Sequence, residues 1–134
     1  MLTNEFISMQ PIIGTRDIER AIAFYTTRLG FAVAFRDGAT PTNYAGLRRG
    51  AVEVHMQFQY EHEMSTIRLR FGVSDPDALL AEFREKKVEV QSDIRETPWG
   101  TREFALYDLD RNALMFYRFP PSVVVKRIFK MATI

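Results

Sequence analysis

Gly14-Thr15-Arg16-Asp17-Ile18-Glu19-Arg20-Ala21-Ile22-Ala23-Phe24-Tyr25 leads from a strand-like stretch into a helix, and 58 residues later Gly72-Val73-Ser74-Asp75-Pro76-Asp77-Ala78-Leu79-Leu80-Ala81-Glu82-Phe83 does the same. Gly14 and Gly72, Asp17 and Asp75, Ala23 and Ala81, and Tyr25 and Phe83 all keep that spacing. In the first copy Ile18, Ala21, Ile22, Tyr25 and Leu29 fall on one face at helical period. Asp17 is a residue type that caps a helix start, and Gly30 a type that follows a helix end. In the second copy Asp75 takes the cap and Pro76 the first turn, where a missing N–H costs nothing. Leu79, Leu80 and Phe83 supply its apolar face.

Outward from these two segments the same order recurs. Residues 6–13 read as a strand before the first helix. Residues 31–35, 44–47 and 51–58 read as three strands after it, with a Gly, Pro and Asn-containing loop at 37–43 and a turn at Arg49-Gly50. The polar run Glu61-His62-Glu63-Met64-Ser65 reads as a linker. Residues 67–73 are then a strand, and 88–90, 101–107 and 114–119 are three more. Strand, helix and three strands, twice over, is an internal duplication. Residues 1–120 are expected to form one domain of two modules, about 5–60 and 65–119. Pro120-Pro121 closes the second module and leaves 121–134 as an extension. Its three valines, Ile128 and Phe129 are expected to pack on the body or on a partner subunit.

The chain has 134 residues, of which 46% are hydrophobic and 26% charged, as in a globular protein with a real core. A net charge of +1 lacks the basic excess of nucleic-acid or membrane-surface proteins. With no cysteine, disulfide scaffolds, thiolate metal sites and cysteine nucleophiles are excluded. No apolar run approaches the roughly 20 residues that span a bilayer. The first residues show no secretory signal pattern, so a cytoplasmic location is expected.

Strand residues alternate between sheet faces. In 51–59, Val52, Val54, Met56 and Phe58 form the apolar set, and Glu53, His55, Gln57 and Gln59 the polar one. In 67–73, Ile67, Leu69, Phe71 and Val73 oppose Arg68 and Arg70. Gln10 is the 58-residue counterpart of Arg68. The polar faces are either wet or the lining of a pocket.

Three segments together resemble the vicinal oxygen chelate superfamily of glyoxalase I, bleomycin-resistance proteins and extradiol dioxygenases. They are Arg16-Asp17-Ile18-Glu19-Arg20-Ala21-Ile22-Ala23-Phe24-Tyr25 with Leu29-Gly30-Phe31; Arg49-Gly50-Ala51-Val52-Glu53-Val54-His55; and Pro98-Trp99-Gly100-Thr101-Arg102-Glu103-Phe104 followed by Asp108-Leu109-Asp110-Arg111-Asn112-Ala113-Leu114. The resemblance covers residues 10–118. It implies an α+β fold of two βαβββ modules forming a curved mixed sheet around a cavity, and a homodimer. At the family's Asp-Pro-Asp-Gly-Asn turn a glycine has become Arg111, so a reshaped turn is expected.

Metalloenzymes of this family hold one divalent ion at four equivalent positions, and the resemblance places these at Gln10, His55, Arg68 and Met115. A guanidinium has no lone pair to donate. A thioether is too soft for sites built from N and O donors. The expectation is therefore no metal and no cofactor, and a pattern closer to the bleomycin-resistance-like branch. The first reading is a protein that sequesters a planar or aromatic small molecule, lined by Gln10, His55, Arg68, Arg70, Trp99, Met115, Tyr44 and Tyr117. The two arginines favour an anionic ligand unless Glu53 and Glu103 neutralise them internally. A second reading is a glyoxalase-like lyase or isomerase with His55 as general base. A third is an interaction module whose pocket has collapsed. No nucleic-acid or membrane partner is expected.

Overall fold

The computed structural model of the chain describes residues 3–119. The chain divides into two compact units, Met1–Ser65 and Thr66–Ile134. The closing Pro120-Pro121 and the extension with its expected packing lie outside the described residues.

The first unit runs β1 (Ile12–Thr15), α1 (Ile18–Thr27), β2 (Ala32–Arg36), β3 (Tyr44–Arg49), β4 (Val52–Phe58). Its four strands lie in the order β1-β4-β3-β2, with β1 parallel to β4 and the remaining pairs antiparallel. A parallel pair needs a long crossover, and α1 with the two intervening strands provides it. The second unit repeats the pattern as β5 (Arg68–Gly72), α2 (Pro76–Glu85), β6 (Ser92–Glu96), β7 (Arg102–Tyr107) and β8 (Ala113–Arg118), in the order β5-β8-β7-β6. Both expected helices begin where their caps stand. The Asp17 carboxylate accepts from the Arg20 N–H at 3.1 Å, and that of Asp75 accepts from the Ala78 N–H at 3.1 Å. The α+β class and the two mixed βαβββ sheets are as the duplication implies.

Each helix covers one face of its own sheet. In the first unit Ile13, Leu47, Val54 and Met56 are buried with Ile22, Tyr25 and Leu29, a largely aliphatic core. The second core is aromatic. Phe104 stacks on Phe116 at 5.1 Å between ring centroids, Phe71 stacks on Phe116 at 5.2 Å, and Phe83 meets Phe116 edge-on at 5.4 Å. Period-2 burial then leaves the odd-numbered residues of β4 and β8 on the face away from the helix.

Two expected strands differ from the structure. Residues 6–13 were expected to pair throughout, yet pairing begins at Ile12, and Phe6, Ile7 and Met9 are exposed. Within its unit β1 lies at the sheet edge with β4 as its one ladder partner, and Pro11 has no N–H to give. Residues 88–90 are not a strand either. The Val88 N–H bonds to the Phe83 carbonyl at 2.9 Å and that of Lys87 to Arg84 at 3.0 Å, closing α2 with Lys87 at φ 58°. This buries Val88 as a helix stop, and the strand follows as Ser92–Glu96. At the β7–β8 turn Arg111 itself adopts the left-handed conformation, with φ 69°, so the turn keeps positive φ without glycine.

Candidate functional site

The face of the first sheet opposite α1 carries an aromatic and acid–base cluster. Residue Gly46 pairs with His55 across β3 and β4, and Phe35 pairs with Gly46 across β2 and β3. An irregularity in β2 between Val33 and Phe35 turns Phe35 to this face instead of the helix side. Its ring lies over Gly46, where any β-carbon would collide with it. The Phe35 ring meets His55 edge-on at 5.1 Å and stacks with Tyr44 at 6.1 Å.

The imidazole of His55 is fixed at both nitrogens. The Tyr44 hydroxyl lies 2.8 Å from Nδ1, and Glu53 Oε2 lies 2.9 Å from Nε2. For a neutral ring this network assigns the proton to Nε2, so that Nδ1 accepts from the phenol. Glu53 Oε1 in turn accepts from Arg48 at 2.8 Å. The hydrogen bond from His55 holds the Glu53 carboxyl below its usual range against a smaller opposing push from burial, and Arg48 adds to the lowering. A folded-state pKa below the unfolded one stabilises the fold above the unfolded value, and that contribution disappears as pH falls through the folded one. Acidification below about pH 4.5 is therefore expected to loosen the chain, and Glu53→Gln to remove part of that dependence. Urea midpoints of both proteins followed from pH 7 to pH 3 check this; parallel curves would contradict it.

The corresponding face of the second sheet is built around a buried carboxylate. Glu103 is 5% exposed. Its Oε2 accepts from the Thr101 hydroxyl at 2.7 Å and from Arg70 Nη2 at 3.1 Å, and Arg95 Nη2 stands 4.0 Å from Oε1. The Arg70 guanidinium also lies over the Tyr117 ring, 4.2 Å from its centroid, a favourable cation–π geometry. Arg70 pairs in register with Met115, and Arg68 Nη2 stands 3.9 Å from the Met115 sulfur.

Of the residues singled out in the sequence, Tyr44 and His55 come together in the first unit, and Arg68, Arg70, Met115 and Tyr117 in the second. Gln10 precedes β1 and is exposed, and the residue in register with His55 is Ile12. Trp99 is 58% exposed at the tip of the β6–β7 hairpin, away from the strand ladder. Of the two proposed internal neutralisers, Glu103 does pair with Arg70, whereas Glu53 is taken up by His55 and Arg48. Phe35, Arg95 and Thr101 belong to these clusters and were not anticipated. Phe35 and Arg95 lie on strands with an irregular register, which sequence alternation does not reveal.

A divalent ion of the kind held by metalloenzymes of this fold does not suit these residues. Both nitrogens of His55 are engaged, and the matching rung of the second sheet offers Arg70 and Met115. Among the described residues no three His, Asp or Glu side chains converge into a metal-binding group.

The repeated βαβββ unit and the polar sheet faces define a family. Residues 8–116 match the Glyoxalase/Bleomycin resistance protein/Dioxygenase superfamily, and the chain belongs to it. Among solved structures, it is similar to a bleomycin-binding protein from the bleomycin-producing Streptomyces verticillus, solved in complex with copper(II)-bleomycin. The two are 27% identical, with a TM-score of 0.70 over 85% of this chain and 97% of the other. TioX from Micromonospora sp. ML1 is 20% identical, with a TM-score of 0.71 over 85% and 97% of the two chains. A bleomycin resistance determinant encoded on the transposon Tn5 is 21% identical, with a TM-score of 0.71 over 85% and 98%. At these identities the last two share the fold alone. No curated protein matches the chain. No helix among the described residues is long and apolar enough to cross a membrane.

Proposed function

We propose that this chain is a small-molecule-binding protein of the bleomycin-resistance type that holds a planar or aromatic ligand without a metal. The observation that carries the reading is the set of side chains standing where related enzymes hold an ion. The guanidinium of Arg68, the thioether of Met115 beside it and the doubly tethered imidazole of His55 are poor donors but good contacts for a flat ligand. The bleomycin-binding neighbour supports it. Each unit offers contacts of its own on the sheet face away from its helix: Tyr44, His55 and Phe35 in the first, and Arg68, Arg70, Met115 and Tyr117 in the second. Gln10 in the first unit and Trp99 in the second, both exposed, are further contacts under this reading.

A thermal-shift titration with copper(II)-bleomycin and a panel of flat aromatic compounds tests this. A ligand bound by the native state alone, at about one hundred times its Kd, stabilises by roughly 2.7 kcal/mol, which raises Tm by several degrees. A panel in which no compound moves Tm would reject the binding reading and leave an interaction module. We also propose a homodimer, in line with the family resemblance; a monomer mass in sedimentation equilibrium would reject it.

One observation favours a second reading, a lyase or isomerase. The chain Tyr44–His55–Glu53 is an acid–base relay, with a phenol at one end, an imidazole able to accept its proton, and a carboxylate that stabilises the resulting imidazolium. Under this reading Tyr44→Phe and His55→Ala would both keep affinity for the bound ligand while abolishing its turnover. Unchanged turnover in both variants would reject it.

A further inference from the structure

We infer that the polar face of the second unit is an anion-binding subsite, and that the ligand it takes is an aromatic compound bearing a carboxylate or a chemically equivalent oxyanion. This rests on the proposed binding function and specifies its ligand. Three cations, Arg68, Arg70 and Arg95, share this face with one buried carboxylate, Glu103. The face therefore holds a surplus of positive charge, although the chain as a whole carries a net charge of only +1.

The two arginines of β5 are prepared differently. Arg70 is immobilised. One nitrogen is bonded to Glu103, its plane rests on Tyr117, and Glu103 is itself held by Thr101. A guanidinium offers five N–H donors in a fixed fork, so bonding one nitrogen to Glu103 leaves donors for a second anion. Its side chain is 37% exposed, which leaves those donors accessible. Arg68 sits two residues earlier on the same face, and among the described residues its polar contact is the Met115 sulfur, a weak acceptor, at 3.9 Å. An arginine whose described contact is a thioether, beside one fixed by a carboxylate, is a pair able to clamp an incoming anion.

What lies next to the clamp defines the rest of the ligand. Register places Met115 beside Arg70, and Ala105 beside Met115 on the following strand. Tyr117 stands beyond them. Met115 and Tyr117 on β8, with Ala105 on β7 beyond, make an apolar floor beside the arginines of β5. The face therefore suits a molecule with an anionic head and a flat apolar body. The first unit lacks the clamp, because Ile12 occupies the rung that Arg70 holds in the second.

Isothermal titration calorimetry with 2-naphthoate, 2-naphthalenesulfonate and the neutral isostere 2-naphthamide tests this. Both anions are expected to bind about tenfold or more tightly than the amide, since charge-assisted hydrogen bonds are the strong ones. Raising the salt concentration weakens the anions selectively. Arg68→Gln, at an exposed position, should remove most of the advantage of the anions and leave the amide unchanged. Arg70→Lys should do the same by keeping the charge while losing the fork. Equal binding of acid and amide would overturn the anionic subsite while leaving the planar-ligand reading standing. So would undiminished naphthoate binding in both variants. Failure of all three compounds to bind would overturn the anionic subsite and leave the binding reading to the thermal-shift panel. Preference for the sulfonate over the carboxylate, lost in Arg68→Gln, would support the subsite and identify the head group.

Discussion

Replacing Phe104 by alanine is expected to lower the stability of the second unit by about 3–5 kcal/mol, the usual cost of deleting a buried aromatic ring. Phe104 is 1% exposed and lies between Phe116, stacked at 5.1 Å, and Phe83, met edge-on at 6.1 Å. Removing it costs the transfer free energy of the ring and leaves a cavity. The rigid neighbouring rings cannot close that cavity without leaving their own contacts. With a urea m-value of about 1–3 kcal/mol/M, the unfolding midpoint should fall by roughly 1–5 M. Circular dichroism during urea titration measures this directly. A fall of less than about 0.5 M would mean that the aromatic stack is not the core of this unit.

The second large effect is expected at Asn112, which is fully buried in the β7–β8 turn. Its Oδ1 accepts from the backbone N–H of Ile67 at 3.0 Å, and its Nδ2 donates to Asp108 Oδ2 at 2.9 Å. Its own N–H donates to Asp108 Oδ1 at 2.9 Å. One side chain thus ties the entry of β5 to the turn between β7 and β8, which sequence separates by 45 residues. Asn112→Ala leaves the Ile67 N–H without its acceptor and removes the amide facing a carboxylate, each worth about 1–3 kcal/mol when buried. A loss of about 2–4 kcal/mol is expected on the same basis. Asn112→Asp keeps the shape but sets a second carboxylate against Asp108, so it should cost at least as much. Hydrogen exchange at the Ile67 amide separates this from a general loosening. That amide should lose protection in Asn112→Ala well before the amides of β8 do.

Much of the architecture was legible because it is written locally. Asp17 and Asp75 cap the helices they were expected to cap. Alternation in 51–59 and 67–73 sorted the helix-side residues from the polar face. The 58-residue offset identified two copies of one unit. The errors fall where a long-range partner decides. Residues 6–11 have strand composition but no ladder within their unit, and Val88 looks like strand yet stops a helix. The candidate site was legible in its residue types and not in its wiring. Glu53 and Glu103 appeared equivalent in sequence; Glu53 holds the His55 imidazole together with Arg48, and Glu103 holds Arg70. Gln10 and Arg68 keep the repeat spacing, but strand register sets Ile12 opposite His55 and Arg70 opposite Met115.

By itself the sequence determined the two βαβββ passes and the faces their helices cover. Those properties depend on period, capping and residue chemistry, all carried by neighbours along the chain. Only the tertiary structure decided that Phe35 joins the polar face, that His55 is pinned between a phenol and a carboxylate, and that Arg70 is paired with a carboxylate while Arg68, among the described residues, is not. Each depends on the register between strands distant in sequence, where a shift of one residue turns a side chain to the opposite face.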